Sequence, residues 1–341
     1  MIYNNIEFHN VERLEQKGSV PGLLLQRFPE NARMLLGDGD HERGRFYAQV
    51  STGCELRFVT DAYFFRLSLS AYPEDTHVMV FCGDFLHSVH KLEAGKVTTM
   101  HIEVPPSLKN SESWVKEGHR FSPNVWRVLF HKQSGGVFCD LDTFGHGVRP
   151  PLPEEVPAKK MLCYGSSITF GGDVHLASNV YVYQAARRLG IDVENKAIAG
   201  SCFCDHSMIK YLSGKKDWDI CVLELGINML GRFTVEEFAA RAKKLVEWML
   251  QSNPGKPVVL LSAFPANPFF AVNSAQKEKF LAYENSLRKI GEAFPEHNLH
   301  FIEGSRILTD VSGLTVDMVH PSDDGHIQMG YNLAEYLRPL L

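Results

Sequence analysis

Four short stretches of the sequence combine the residue types that acyl-transfer chemistry needs. Gly165-Ser166-Ser167-Ile168-Thr169 offers a serine among small residues. Ala199-Gly200-Ser201 and Gly226-Ile227-Asn228 offer glycines and a side-chain amide. Asp317-Met318-Val319-His320-Pro321 sets a carboxylate three residues before an imidazole. A serine hydroxyl is a poor nucleophile until a histidine takes its proton, and the histidine must be held in the right tautomer by a carboxylate. The oxyanion formed on the attacked carbonyl needs donors aimed at it, which backbone N–H groups and an Asn amide supply. Glycine lets the backbone come close where a side chain would collide. The four stretches therefore fit one task.

The elements that must position these groups follow from the periodicity. Lys160–Gly165, Asp219–Gly226 and Pro257–Ser262 are short apolar runs that read as strands. Residues 179–189, 234–250, 275–293 and 326–337 read as helices, the second with a capping box formed by Thr234 and Glu237. Such alternation implies a parallel sheet covered by helices on both faces. Ligands of open parallel sheets bind at the carboxyl ends of the strands, where the first three stretches fall. The fourth precedes the last helix.

Residues 1–150 read differently. Leu56–Thr60, Phe64–Ser70, Val78–Cys82, Thr98–Val104 and Val125–Phe130 are rich in β-branched and aromatic residues and are punctuated by turn formers. None of this region carries a sustained helical period, so the expectation is an all-β, jelly-roll-like sandwich. Arg149–Pro157 packs four prolines into nine residues and reads as a linker. The expected division is a β-sandwich over 1–150 with possible contact to a carbohydrate, a Pro-rich linker over 151–159, and a three-layer αβα catalytic domain over 160–341.

An α/β-hydrolase elbow fits less well. Thr169 stands where that motif wants glycine. Asp317 and His320 also come from one short loop rather than two. The four blocks, in this order, instead resemble the SGNH-hydrolase (GDSL-type esterase/acylhydrolase) superfamily. The resemblance implies an αβα fold with Ser167 as nucleophile, His320 as general base and Asp317 as its orienting carboxylate. It also implies an oxyanion hole built from Ser167 N–H, Gly200 N–H and the Asn228 amide. Two positions depart from the pattern: Ser166 stands where the name-giving motif has Asp, and Met229 where the third block often has Asp. The strands of the first region, with Phe121–Trp126 and Leu141–Gly147 ahead of the linker, resemble the N-terminal domain of two-domain SGNH esterases. Those are associated with carbohydrate O-deacetylation, and some relatives are acyltransferases. The expected activity is hydrolysis of short acyl esters, acetyl first, on a sugar or oligosaccharide. An acyltransferase using the same triad and an inactive carbohydrate-binding protein are the alternatives.

Other residues complete the expectations. Asp173, His175 and the aromatic loop at Phe264 are candidates to line the substrate mouth, and Asp142 and His146 could reach the cleft. Cys202-Phe203-Cys204-Asp205-His206 lacks a second ligand pair at zinc-site spacing, so no metal is expected there. No cofactor is required by the chemistry. His326, opening the last helix, reads as a surface residue. The chain has 341 residues and a formal net charge of -5. Lys plus Arg number 16 against 18 Asp plus Glu up to residue 150, and 19 against 22 after it. Neither half is basic, which argues against nucleic acid or a membrane surface as partner. No apolar stretch reaches the roughly 18 residues of a membrane span. The seven cysteines, odd in number and scattered, and the lack of a signal-like N-terminus suggest a reduced, cytoplasmic protein. A homo-oligomer is left open.

Overall fold

The structure is a computed structural model and describes residues 1–37, 41–112, 119–272 and 274–341. By contacts the chain divides into two units: Met1–Pro29 with Ala48–Ala158, and Glu30–Tyr47 with Lys159–Leu341.

The first unit is built of two antiparallel sheets. One runs in the order Ile2–Tyr3, Ile6–His9, Glu55–Thr60, Val125–Phe130, Thr76–Cys82, Phe85–Leu92, with Val148–Arg149 also paired to Glu55–Thr60. The other runs Arg13–Gln16, Leu23–Gln26, Gly135–Asp142, Phe64–Tyr72, Thr98–Glu103. Alternation along Phe64–Tyr72 sends Phe65, Leu67 and Leu69 inward and leaves Phe64 and Arg66 exposed, which is the signature of a strand with one wet face. Phe65 meets Phe58 and Trp126 edge to face at 5.2 and 4.9 Å in a core that also holds Phe8, Phe130 and Phe138. The expected strands are present, and several more join them.

The second unit is a five-stranded parallel sheet in the order Asp192–Asn195, Lys160–Tyr164, Ile220–Glu224, Val258–Leu261, Leu299–Ile302. The central strand is buried along its whole length, as a strand with helices on both faces must be. Helices Tyr181–Leu189 and Asp323–Leu337 pack together and cover the face bearing Met161, Cys163, Val222 and Val259. Helices His206–Gly214, Val235–Ser252 and Ser274–Glu292 form the other layer. Thr234 caps Val235–Ser252 through the reciprocal bond with Glu237 that the sequence suggests.

Helices depart from the all-β expectation for the first 150 residues, the single turns Glu30–Arg33 and Pro106–Lys109 among them. His41–Gln49 is a helix, and Glu30–Tyr47 belongs by its contacts to the parallel-sheet unit. Its buried positions include Gly44 and Ala48, so it shows no stripe of large apolar residues. Tyr47 packs edge to face on Phe170 at 5.5 Å.

Candidate active site

Strand Lys160–Tyr164 ends at Gly165, where a Cβ would stand 2.4 Å from Thr169 Oγ1 and 2.7 Å from Glu224 Oε2. Only glycine fits that turn. Ser166 caps the short helix Ser167–Phe170, its Oγ accepting from Ile168 N at 3.2 Å. Ser167 is the first residue of that helix and is partly exposed, while Ser166 beside it is buried.

Glu224, at the end of the central strand, sits beneath this turn. Its Oε2 accepts from Ser166 Oγ at 2.6 Å, Ser166 N at 2.7 Å and Thr169 Oγ1 at 3.1 Å. Burial pushes its carboxyl up to about 7, against the lowering effect of these three bonds. Glu224 therefore ties down the turn on which Ser166 stands where the family motif has Asp. Sequence reasoning missed it, although a glutamate inside the apolar run Ile220-Cys221-Val222-Leu223-Glu224-Leu225 is an anomaly that could have marked it.

The loop before the last helix brings the other two groups to Ser167. Ser167 Oγ lies 2.7 Å from His320 Nε2, and His320 Nδ1 lies 2.6 Å from Asp317 Oδ2. Asp317 Oδ1 accepts from Val319 N, His320 N and Thr315 Oγ1 at 2.8–2.9 Å. Partial burial works against its ionisation. The hydrogen bonds from His320 and from the loop amides win and hold its carboxyl well below the usual range. An ionised carboxylate can only accept, so Nδ1 carries the proton and Nε2 presents its lone pair to the serine hydroxyl. The imidazole lies against Gly172, where a Cβ would be 2.6 Å from its Cδ2. Such an arrangement can take a proton from Ser167 as it attacks.

Asp173 is drawn to the same place. Held at φ +62, it puts Oδ2 3.5 Å from His320 Nδ1. The candidate ligand atoms of Asp173, Asp317 and His320 lie within 4.8 Å of one another, the one such trio among the described residues. Both imidazole nitrogens are turned to Ser167 and Asp317, a relay rather than an open cation cage.

Gly200 and Asn228 lie on the neighbouring loops. Ile198 N donates to Gly165 O at 3.0 Å, which fastens the Gly200 loop to the turn bearing Ser167, and Gly200 itself has φ +66. Asn228 Oδ1 accepts from Cys202 N at 3.2 Å, which fixes the amide and leaves its Nδ2 end as the donor.

The remaining candidates separate. His175 is exposed and bonds Asp323 Oδ2 at 2.5 Å through Nδ1. Phe264 goes to the core instead of a pocket wall: it is 1% exposed and packs edge to face on Tyr181 at 5.5 Å. His326 is not a surface residue, because the helix starts at Asp323, earlier than expected, and turns it inward. It is fully buried, stacks on Tyr181 and accepts from Tyr181 N. Asp142 and His146 belong to the first unit, where Asp142 accepts from Phe144 N and His146 pairs with Asp61. Cys202, Cys204 and His206 form no ligand group among the described residues. Cys202 Sγ donates to Glu224 O, and His206 packs on Trp248. No helix among the described residues is long and apolar enough to cross a membrane.

Residues 163–327 match the family model of the GDSL-like Lipase/Acylhydrolase family. A search of curated protein sequences returns no match. Among solved structures, the chain is similar to the salicylyl-acyltransferase SsfX3 from a tetracycline biosynthetic pathway, with TM-score 0.81 at 16% identity, over 99% of this chain and 95% of that one. It is also similar to a family two carbohydrate esterase from Clostridium thermocellum in complex with cellohexaose, with TM-score 0.62 at 12% identity, over 85% and 93%. An acetyl xylan esterase, Est2A, from the rumen bacterium Butyrivibrio proteoclasticus gives TM-score 0.60 at 12% identity, over 99% and 96%. At these identities the likeness is one of fold. The family match marks residues 163–327 as a GDSL-like lipase/acylhydrolase domain, and the likeness of fold extends over the β-sandwich unit as well.

Proposed function

We propose that the protein is a serine esterase that removes short acyl groups, acetyl first, from a carbohydrate. The observation that carries the reading is the relay from Ser167 Oγ through His320 to Asp317, with steps of 2.7 and 2.6 Å. In this reading Ser167 Oγ attacks the ester carbonyl carbon while His320 Nε2 takes its proton. The tetrahedral oxyanion is held by Ser167 N–H, Gly200 N–H and Asn228 Nδ2. The tetrahedral adduct then collapses, its bond to the alkoxide breaks, and His320 protonates the leaving group. Water, deprotonated by His320, attacks the acyl-enzyme; the bond to Ser167 Oγ then breaks, His320 returns the proton to it, and the carboxylic acid leaves. The likeness to carbohydrate esterases, one of them in complex with cellohexaose, supports the sugar ester as substrate. None of the seven cysteines is in a disulfide, which supports a reducing compartment.

The test is hydrolysis of p-nitrophenyl esters from acetate to decanoate by wild type and Ser167→Ala. Rates that fall steeply beyond short chains and vanish in the variant are expected. Rates that peak at long chains sink the carbohydrate reading, and full activity of Ser167→Ala sinks the serine mechanism.

A second reading keeps the relay and passes the acyl group to an alcohol instead of water. It draws support from the likeness to an acyltransferase over nearly the whole chain. Product analysis with an acceptor sugar present separates the two, since a transferase yields new ester in place of free acid.

A further inference from the structure

We propose that Arg43 is a specificity-determining residue that selects esters bearing a carboxylate. The inference deepens the serine-esterase reading above and rests on it.

Arg43 lies on helix His41–Gln49, in the segment that counts by its contacts with the acylhydrolase unit. Tyr47 on Phe170 ties that segment to the helix that begins at Ser167, and within the segment Arg45 Nε donates to Met34 O at 3.0 Å. Arg43 turns its guanidinium onto Gly200. A Cβ on Gly200 would stand 2.2 Å from Arg43 Nε, 2.6 Å from Cζ and 2.7 Å from Nη2. The cation therefore occupies the side-chain space of the residue proposed to donate to the oxyanion, next to where the ester must lie.

Among the described residues nothing accounts for that charge. Arg43 is exposed, and its guanidinium lies 5.8 Å from the centre of the Tyr47 ring. Among the described residues it has no carboxylate partner. The acids beside the relay are otherwise engaged: Asp317 and Asp173 face His320, and Asp323 bonds His175 and Asn179. A guanidinium is a rigid planar fork of donors whose best match is the two oxygens of one carboxylate. Two sources share that chemistry, an acidic sugar on the alcohol side of the ester or a dicarboxylic half-ester on the acyl side.

Three roles can be told apart by experiment. A strut that only props Gly200, or an extra donor to the oxyanion, would act on every ester alike. A carboxylate receptor acts on the charged one. The measurement is kcat/KM on two matched pairs, by wild type, Arg43→Gln and Arg43→Lys. Mono-p-nitrophenyl succinate against p-nitrophenyl butyrate reads the acyl side, and 4-acetoxybenzoate against phenyl acetate reads the alcohol side. In one pair the charged-to-neutral ratio should fall about 10- to 100-fold in Arg43→Gln, chiefly through KM, with Arg43→Lys between. An unchanged ratio in both pairs overturns the proposal, whatever happens to the absolute rates.

Calorimetric binding of monomethyl succinate and of 4-hydroxybenzoate to Ser167→Ala, with and without Arg43→Gln, reads the same preference without turnover. Loss of carboxylate binding on adding Arg43→Gln supports the proposal. Equal binding of both ligands with and without Arg43 overturns it. Persistent ester turnover by Ser167→Ala would remove the serine reading, while this binding comparison would still judge Arg43.

Discussion

At the scale of single residues the unusual feature is that two carboxylates address one imidazole nitrogen. Asp317 bonds His320 Nδ1 at 2.6 Å, and Asp173 waits at 3.5 Å. In a simple Ser-His-Asp relay, Asp→Asn leaves the wrong tautomer and lowers kcat on the order of 10⁴-fold. Here Asp173 can accept from Nδ1–H when Asp317 is replaced, so Asp317→Asn should lose less than that. Asp317→Asn/Asp173→Asn should lose more than the two single losses combined. Steady-state kcat on p-nitrophenyl acetate for the two singles and the double decides it, and strict additivity would deny Asp173 any part. Ser167→Ala and His320→Ala should each cost several orders of magnitude, and not additively. For the proposed oxyanion donor, Asn228→Ala should cost about 10²- to 10³-fold in kcat with little change in KM. Ser167, His320 and Asp317, which the structure joins by hydrogen bonds, could be picked out because their types, order and neighbouring elements agree. The nearness of Asp173 to His320 was not, because it depends on a residue at φ +62 that turns the loop back, which no spacing encodes.

At the scale of elements, the relay depends on two helices holding their distance. Asp323–Leu337 follows the Asp317–His320 loop, and Tyr181–Leu189 follows the turn bearing Ser167. They meet at Gly330, where a Cβ would stand 2.3 Å from Gln184 Cβ and 2.9 Å from Tyr181 O. Backbone cannot give way there as a flexible side chain could. Gly330→Ala should therefore push the helices apart, destabilise the protein by about 1–3 kcal/mol and lower kcat by disturbing the step from Ser167 to His320. Urea denaturation and kcat on one ester check this, and wild-type values for both would show that the crossing has slack. The long amphipathic helices and the apolar central strands could be read from sequence because each buries a large apolar face; Asp192–Asn195, buried but mostly polar, did not announce itself. Leu299–Ile302 could not, since as an edge strand it is only half-buried. His41–Gln49 could not either: with Gly44 and Ala48 at buried positions, it lacks the apolar stripe that marks a helix.

At the scale of the whole molecule, the change of periodicity near residue 150 correctly announced a β-sandwich followed by a parallel-sheet unit. It could not announce that Glu30–Tyr47 folds with the latter, because that membership rests on contacts distant in sequence, such as Tyr47 on Phe170. The molecule's stability is coupled to its proposed active site through Glu224. Its folded-state carboxyl titrates near 7 against an ordinary value of 4.5, with burial as the cause. The fold thus favours the protonated form. The stability this contributes is fully present below pH 4.5 and is lost as pH rises through 7. A shift of that size corresponds to about 3 kcal/mol. Asp317 works in the opposite sense, its contribution being present above the ordinary aspartate value of 3.8 and lost below it, so it does not act between pH 5 and 8. Glu224→Gln keeps a neutral group that can accept from Ser166 and cannot ionise. Urea midpoints of wild type and Glu224→Gln at pH 5, 6, 7 and 8 isolate the effect, because every other titrating group is common to both. The variant should gain on wild type as pH rises, most steeply between about 5 and 6.5, with the gain levelling off above 7. Parallel curves would mean that Glu224 ionises in the fold as easily as in the unfolded chain, and that the turn bearing Ser167 rests on a charged carboxylate at every pH tested.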